Sequence, residues 1–199
     1  VSPPTTVIVN APTDTANTLS AATISERRDE RGSAVSAAPA RPKSPDRGPK
    51  PRTFRVQFAA ALLPKIHQYV TEFLAEHGVE NEAGGMLVGN YHHDEATGVV
   101  TFEICGFIEA GPKADFSPGC ILFDSEFQAQ QLTAMQLERP VVNLGCYHRH
   151  PQHLDTCSPG DLATDREAVL ASDTKALVFV IITLHNPRQL LSTVRYRDF

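Results

Sequence analysis

Gly145-Cys146-Tyr147-His148-Arg149-His150-Pro151-Gln152-His153-Leu154-Asp155-Thr156-Cys157-Ser158-Pro159-Gly160-Asp161 is the stretch on which the reading of this chain turns. It holds three of the eight histidines and two of the four cysteines. Residues 141–147 read as a strand, which places His148 and His150 two apart at its end. Successive strand side chains alternate faces, so the two imidazoles point the same way. Ten residues separate His150 from Asp161. Ser158-Pro159-Gly160-Asp161 has the form of a helix start, with Ser158 as N-cap, Pro159 as first helical residue and Asp161 in the first turn. A strand end and the next helix start can thus bring two nitrogens and one oxygen to one point. With a fourth position left open, that is the donor set of a catalytic zinc site.

Outward from this stretch the composition is uneven. Residues 1–52 contain 8 of the 15 prolines, few large apolar residues, and eight basic against five acidic side chains. Such a segment buries too little apolar surface to offset the entropy of ordering, so it is expected to be a disordered tail. Its one apolar cluster, Val7-Ile8-Val9, is too short to build on. The basic run of residues 41–52 reads as a solvated linker. Residues 53–199 carry ten basic and eighteen acidic residues, a balance that argues against a nucleic-acid partner. The longest apolar run, residues 176–182, is strand-sized, so no membrane span is expected. Four scattered cysteines without a C-x-x-C pair point to a reducing compartment, the cytoplasm. The chain opens on Val1 rather than Met, leaving its native start open.

The remainder alternates between strand and helix patterns. Residues 54–58 alternate as a first strand. Residues 60–77 form a helix with Leu63, Ile66, Val70, Phe73 and Leu74 on one face and Gly78 placed to end it. Residues 85–91 are a short strand, and in residues 99–108 Val100, Phe102, Ile104 and Ile108 share the face of a half-buried one. Residues 111–119 read as a loop punctuated by Pro112 and Pro118. Asp124 or Ser125 caps a second helix with a weak apolar face, closed by Pro140. After the histidine strand come a helix over residues 159–171, a strand over residues 176–184 that is apolar on both faces, a turn at Asn186-Pro187 and a last strand over residues 190–196. The fold class is mixed α/β, a sheet with about three helices.

A carboxylate stands just before the glycine-rich strand: Asn81-Glu82-Ala83-Gly84-Gly85-Met86-Leu87-Val88-Gly89. Alone, Glu82 reads as a surface residue at a strand start. Beside a two-His, one-Asp set it becomes a candidate base for an activated water. Glu82, Gly85, Leu87 and Gly89, followed far downstream by His148, His150, Pro151, Ser158 and Asp161, resemble the pattern of the JAMM or MPN-plus metalloproteases. That family includes deubiquitinating isopeptidases and bacterial and archaeal relatives. The resemblance covers residues 53–199, and the preceding Gly145 and Tyr147 also fit it.

The resemblance implies a curved mixed sheet flanked by about three helices, the MPN/JAB, cytidine-deaminase-like arrangement. It implies zinc held by His148, His150 and Asp161, Glu82 as general acid/base, and Ser158 as a stabiliser of the tetrahedral oxyanion. The implied substrate is the Gly-Gly tail of a ubiquitin-like protein or its conjugate, cut by a prokaryotic-type member. Alternatives in the same frame are a peptidase that trims a ubiquitin-like or sulfur-carrier precursor, and a non-catalytic scaffold. Two positions depart from the pattern. Arg149 replaces the usual Ser or Thr between the histidines, and period-2 geometry turns it away from the metal. Cys146 replaces a bulky aromatic. His153 is surplus to a complete ligand set, and Cys157 is read as structural or incidental.

Overall fold

Alternation shapes the first strand of the domain: in Thr53–Phe58 (β2) the side chains of Phe54, Val56 and Phe58 are buried while Arg55 faces solvent. The computed structural model describes residues 5–10, 53–151, 154, 156–184 and 190–196. Expectations for residues 11–52, for His153 and for the Asn186-Pro187 turn lie outside them. The elements are β1 (Thr5–Asn10), β2, α1 (Leu62–His77), β3 (Ala83–Asp94), β4 (Val99–Glu109), β5 (Asp115–Ser117), β6 (Cys120–Leu122), α2 (Ser125–Glu138), β7 (Val142–Arg149), α3 (Pro159–Ala171), β8 (Ala176–Ile182) and β9 (Leu190–Tyr196).

Seven strands form one mixed sheet in the order β1-β2-β4-β3-β7-β8-β9. The pairs β2–β4 and β7–β8 are parallel and the other neighbours antiparallel. Two register shifts bend its middle. Cys105 is the extra residue opposite Val88/Gly89, and Leu144 the extra residue opposite Leu87/Val88. Beside the second shift Gly145 has φ +129°, and a Cβ there would collide with the Val178 carbonyl. The apolar strand β8 divides its side chains between two cores. Ala176, Val178, Val180 and Ile182 join the main core with α1 residues Ile66, Val70 and Leu74. Leu177 and Phe179 pack with Val169 of α3 and with Cys146.

Three expectations change. In α1, Leu62 is buried with Ile66, Val70 and Leu74, while Leu63 and Phe73 are partly buried and pack against the same core. Phe73 lies at its edge, its ring 5.0 Å from Phe116 and 4.4 Å from His77. The segment read as a loop contains β5, which pairs with β6 just beyond it as a small hairpin. Its Phe116 ring also meets His77, at 4.6 Å, so packing onto the end of α1 supplies what a Pro- and Gly-rich sequence does not show. Finally, Thr5–Asn10 is a strand in register with β2, from Thr5↔Phe58 to Asn10↔Thr53. The Val7-Ile8-Val9 run needs no core of its own, because the open edge of β2 offers it a hydrogen-bond ladder. Asn10 and Thr53 therefore lie where β2 and β4 begin, at the far end of the sheet from His148.

A candidate metal centre

Strand pairing brings the site together. Gly84 faces His148 and Ala83 faces Arg149 across β3 and β7. A Cβ on Gly84 would sit 2.5 Å from the Tyr147 carbonyl oxygen and 3.0 Å from the His148 Cβ, so only glycine lets the strands close at the histidine. His148 lies in the strand and His150 just beyond it. Both are buried, and their Nε2 atoms are 2.9 Å apart.

The N-terminus of α3 supplies the third donor. Ser158 caps the helix: its Oγ accepts from the Asp161 amide at 3.1 Å, and the Asp161 Oδ2 accepts from the Ser158 amide at 2.6 Å. This reciprocal box fixes the carboxylate rotamer. The same Oδ2 lies 3.1 Å from His150 Nε2, and Oδ1 lies 3.6 Å from His148 Nε2. The ligand-capable atoms of His148, His150 and Asp161 all fall within 4.8 Å of one another, the one such group of three among the described residues. Tetrahedral zinc with bonds of 2.0–2.1 Å holds its donors about 3.3 Å apart, which the observed separations bracket. Two imidazole nitrogens and one carboxylate oxygen are also the right chemistry for zinc.

Glu82 closes the site from the β3 side. Its amide donates to the Ser117 carbonyl of the β5–β6 hairpin at 3.0 Å, and its side chain is buried. With His148, Ser158 and Asp161 it lines a cavity of about 180 Å³, whose other wall includes Ile121 and Phe123. Burial pushes the Glu82 carboxyl above its ordinary value; the nearby His148 and His150 pull it partly back, and Asp161 adds to the rise. Burial would also raise Asp161, but hydrogen bonds from His148, His150 and the Ser158 amide outweigh it and hold that carboxyl well below the usual range. The hydrogen bond to Asp161 raises His150 against the effect of burial. Burial, with the nearby Asp165 and Asp161 charges, drives the Cys146 thiol far up, and Cys146 is not among the clustered donors.

All five residues singled out in the sequence, Glu82, His148, His150, Ser158 and Asp161, therefore meet at one place. Arg149 turns to the opposite face, as the strand period requires. Its Nη1 donates to the Val79 carbonyl at 2.7 Å and the Asn81 carbonyl at 3.1 Å. Sequence reading missed that contact, which joins residues 68 and 70 positions apart. It also passed over Asp165, a buried carboxylate in the cavity wall. Only its place one helical turn after Asp161 marks it in the sequence.

No family model matches the chain, and no curated protein matches it. Among solved structures, the solution structure of a protein from Desulfitobacterium hafniense aligns with a TM-score of 0.45 and 23% identity, over 69% of this chain and 80% of that one. A likeness that distant has no bearing on the site.

Proposed function

We propose that the chain is a zinc-dependent peptidase of the JAMM/MPN-plus type. On this reading it hydrolyses the amide bond that follows the Gly-Gly tail of a ubiquitin-like protein, with an isopeptide to a lysine amine as its main substrate. The observation that carries the proposal is the cluster of His148, His150 and Asp161 with the buried Glu82 carboxylate beside it. Zinc bound there would supply Lewis-acid polarisation of the amide carbonyl and acidify a water.

The chain's own residues do the rest. Glu82, with its raised carboxyl, accepts the proton of the attacking water and delivers it to the leaving nitrogen. Asp161 keeps its negative charge at neutral pH because its hydrogen bonds favour the ionised form. The Ser158 hydroxyl oxygen accepts from the Asp161 amide, which leaves its proton to be donated to a developing oxyanion. The narrow cavity, walled by the β5–β6 hairpin, suits an extended tail of small residues better than a bulky side chain. The cytoplasm is the proposed location. The described residues contain no helix long and apolar enough to cross a membrane.

The test is cleavage of ubiquitin-like isopeptide conjugates and linear fusions, with metal content measured in parallel. The parent should bind about one zinc and lose activity to a chelator. Glu82→Gln keeps size but cannot take a proton, so zinc should stay while the rate falls by about 10²–10⁴. His148→Ala should lose both. Cleavage of linear fusions alone would favour precursor trimming. Zinc binding without cleavage of any amide substrate would favour the scaffold, and full activity in Glu82→Gln would remove the mechanism.

A further inference from the structure

Arg149 has no part in the chemistry described above, yet it is the one buried Lys or Arg among the described residues, at 5% exposure. Its position explains where it goes. Ala83, its cross-strand partner, belongs to the main core on the α1 side of the sheet. Arg149 shares that side, while His148, one residue earlier, points to the other. Beneath it runs the connection from α1 to β3, residues 78–82. This connection has few bonds of its own: the Gly78 amide to Leu74, the Asn81 amide to Gly78 at 3.3 Å, the Asn81 side chain to the His77 carbonyl at 2.6 Å, and the Glu82 amide to Ser117 at 3.0 Å.

A planar guanidinium can reach two carbonyls from one end of its fork, and Nη1 does so here with Val79 and Asn81. The second carbonyl belongs to the residue immediately before Glu82. Charged donors make hydrogen bonds about twice as strong as neutral ones, and burial keeps water from competing.

We propose that Arg149 is a positioning residue for Glu82: it ties the loop that carries this carboxylate to the strand that carries His148, so that the two halves of the site keep a fixed separation. The inference rests on Glu82 being the proton carrier. Arg149 touches neither substrate nor metal ligand. It acts through the backbone of residues 79–81. Without it the loop before Glu82 is held by the weaker neutral bonds at Asn81 and Glu82 and by the β3 ladder that starts at Ala83, and the carboxylate samples positions from which proton transfer fails.

The experiment compares the zinc-loaded parent with Arg149→Ala, Arg149→Lys, Glu82→Gln and the double variant Arg149→Ala/Glu82→Gln. Three things are measured: zinc per chain, hydrogen exchange of the Asn81 and Glu82 amides, and kcat and KM. Arg149→Ala should keep its zinc, exchange both amides about tenfold faster or more, and lose about 10–100-fold in kcat with KM within about twofold. Arg149→Lys, which can reach one carbonyl, should recover part of both losses. The double variant should be no slower than Glu82→Gln alone, since a positioning residue has nothing left to position. Rate losses that add in the double variant would overturn the proposal, as would unchanged exchange at both amides. If Arg149→Ala does not fold, Arg149→Lys carries the same comparison. A parent that cleaves no amide would defeat the peptidase reading alone, and the exchange measurement would still decide whether Arg149 holds the loop.

Discussion

Replacing Asp161 with Asn tests the pairing of carboxylate and imidazoles without metal. The amide keeps an oxygen for the Ser158 amide, so the cap survives in large part. It loses the charge that faces His150 at 3.1 Å and His148 at 3.6 Å. A hydrogen bond to a charged group contributes about 1.5–3 kcal/mol, and 18% side-chain exposure of Asp161 leaves some solvent screening. About 1–2 kcal/mol is then the expected loss, or about 3–6 °C of melting temperature for a domain of this size. The sign depends on pH. The depressed Asp161 carboxyl contributes stability above about pH 4 and loses it as pH falls further; the raised His150 contributes below about pH 6.5 and loses it as pH rises through its folded value. Both contributions are present at pH 5.5. Melts of zinc-stripped parent and Asp161→Asn should differ by the full amount at pH 5.5 and by clearly less at pH 8.5. Adding zinc at pH 8.5 should reopen the gap: a site weakened about a hundredfold forfeits about 2.7 kcal/mol of ligand stabilisation. A gap that is equal at both pH values and indifferent to zinc would show that Asp161 is a helix cap and nothing more.

Cys157→Ser should leave zinc stoichiometry unchanged, because the proposed ligands are nitrogen and oxygen; loss of metal, measured by elemental analysis, would displace Asp161 from the ligand set. Gly145→Ala should cost about 2–3 kcal/mol or prevent folding, since φ +129° is strained for alanine and its methyl would meet the Val178 carbonyl. A denaturant midpoint equal to the parent's would mean that the β7 bend is less tightly fixed than its register shift indicates.

Short-range signals were legible in the chain. Strand alternation in residues 54–58, the Ser158-Pro159-Gly160-Asp161 helix start and the two-residue spacing of the histidines all depend on neighbours in sequence, and each stands in the structure. What the chain did not disclose depends on tertiary partners. The hairpin exists because Phe116 has Phe73 and His77 to pack on. The β1 strand exists because β2 has an open edge. The contact from Arg149 to Val79 and Asn81 has no local sequence counterpart at all. In the site itself residue types and spacing picked out the three side chains that the fold brings together. The extra residue Leu144, which re-aims the end of β7, could not be read from them.

One residue shows why local and functional readings of this sequence coincide. An N-terminal acid is adequately explained by the helix dipole, and a capping box by two orphan amides. Neither demand fixes what else the carboxylate faces. Here β7 bends at Gly145 and runs parallel to β8, against which α3 packs, and that arrangement brings both imidazoles to the capping carboxylate of Asp161. The Ser158 amide then holds the carboxylate in the rotamer that the cluster requires, so little side-chain freedom remains to be lost when a cation binds. On the proposed reading the helix start is part of the centre's preorganisation, and Ser158 has two roles: its backbone amide orients Asp161, and its side chain lines the cavity as the oxyanion donor. Stability and reactivity at Ser158 are consequently coupled, and a substitution there reads correctly only when melting temperature, zinc content and rate are measured on the same sample.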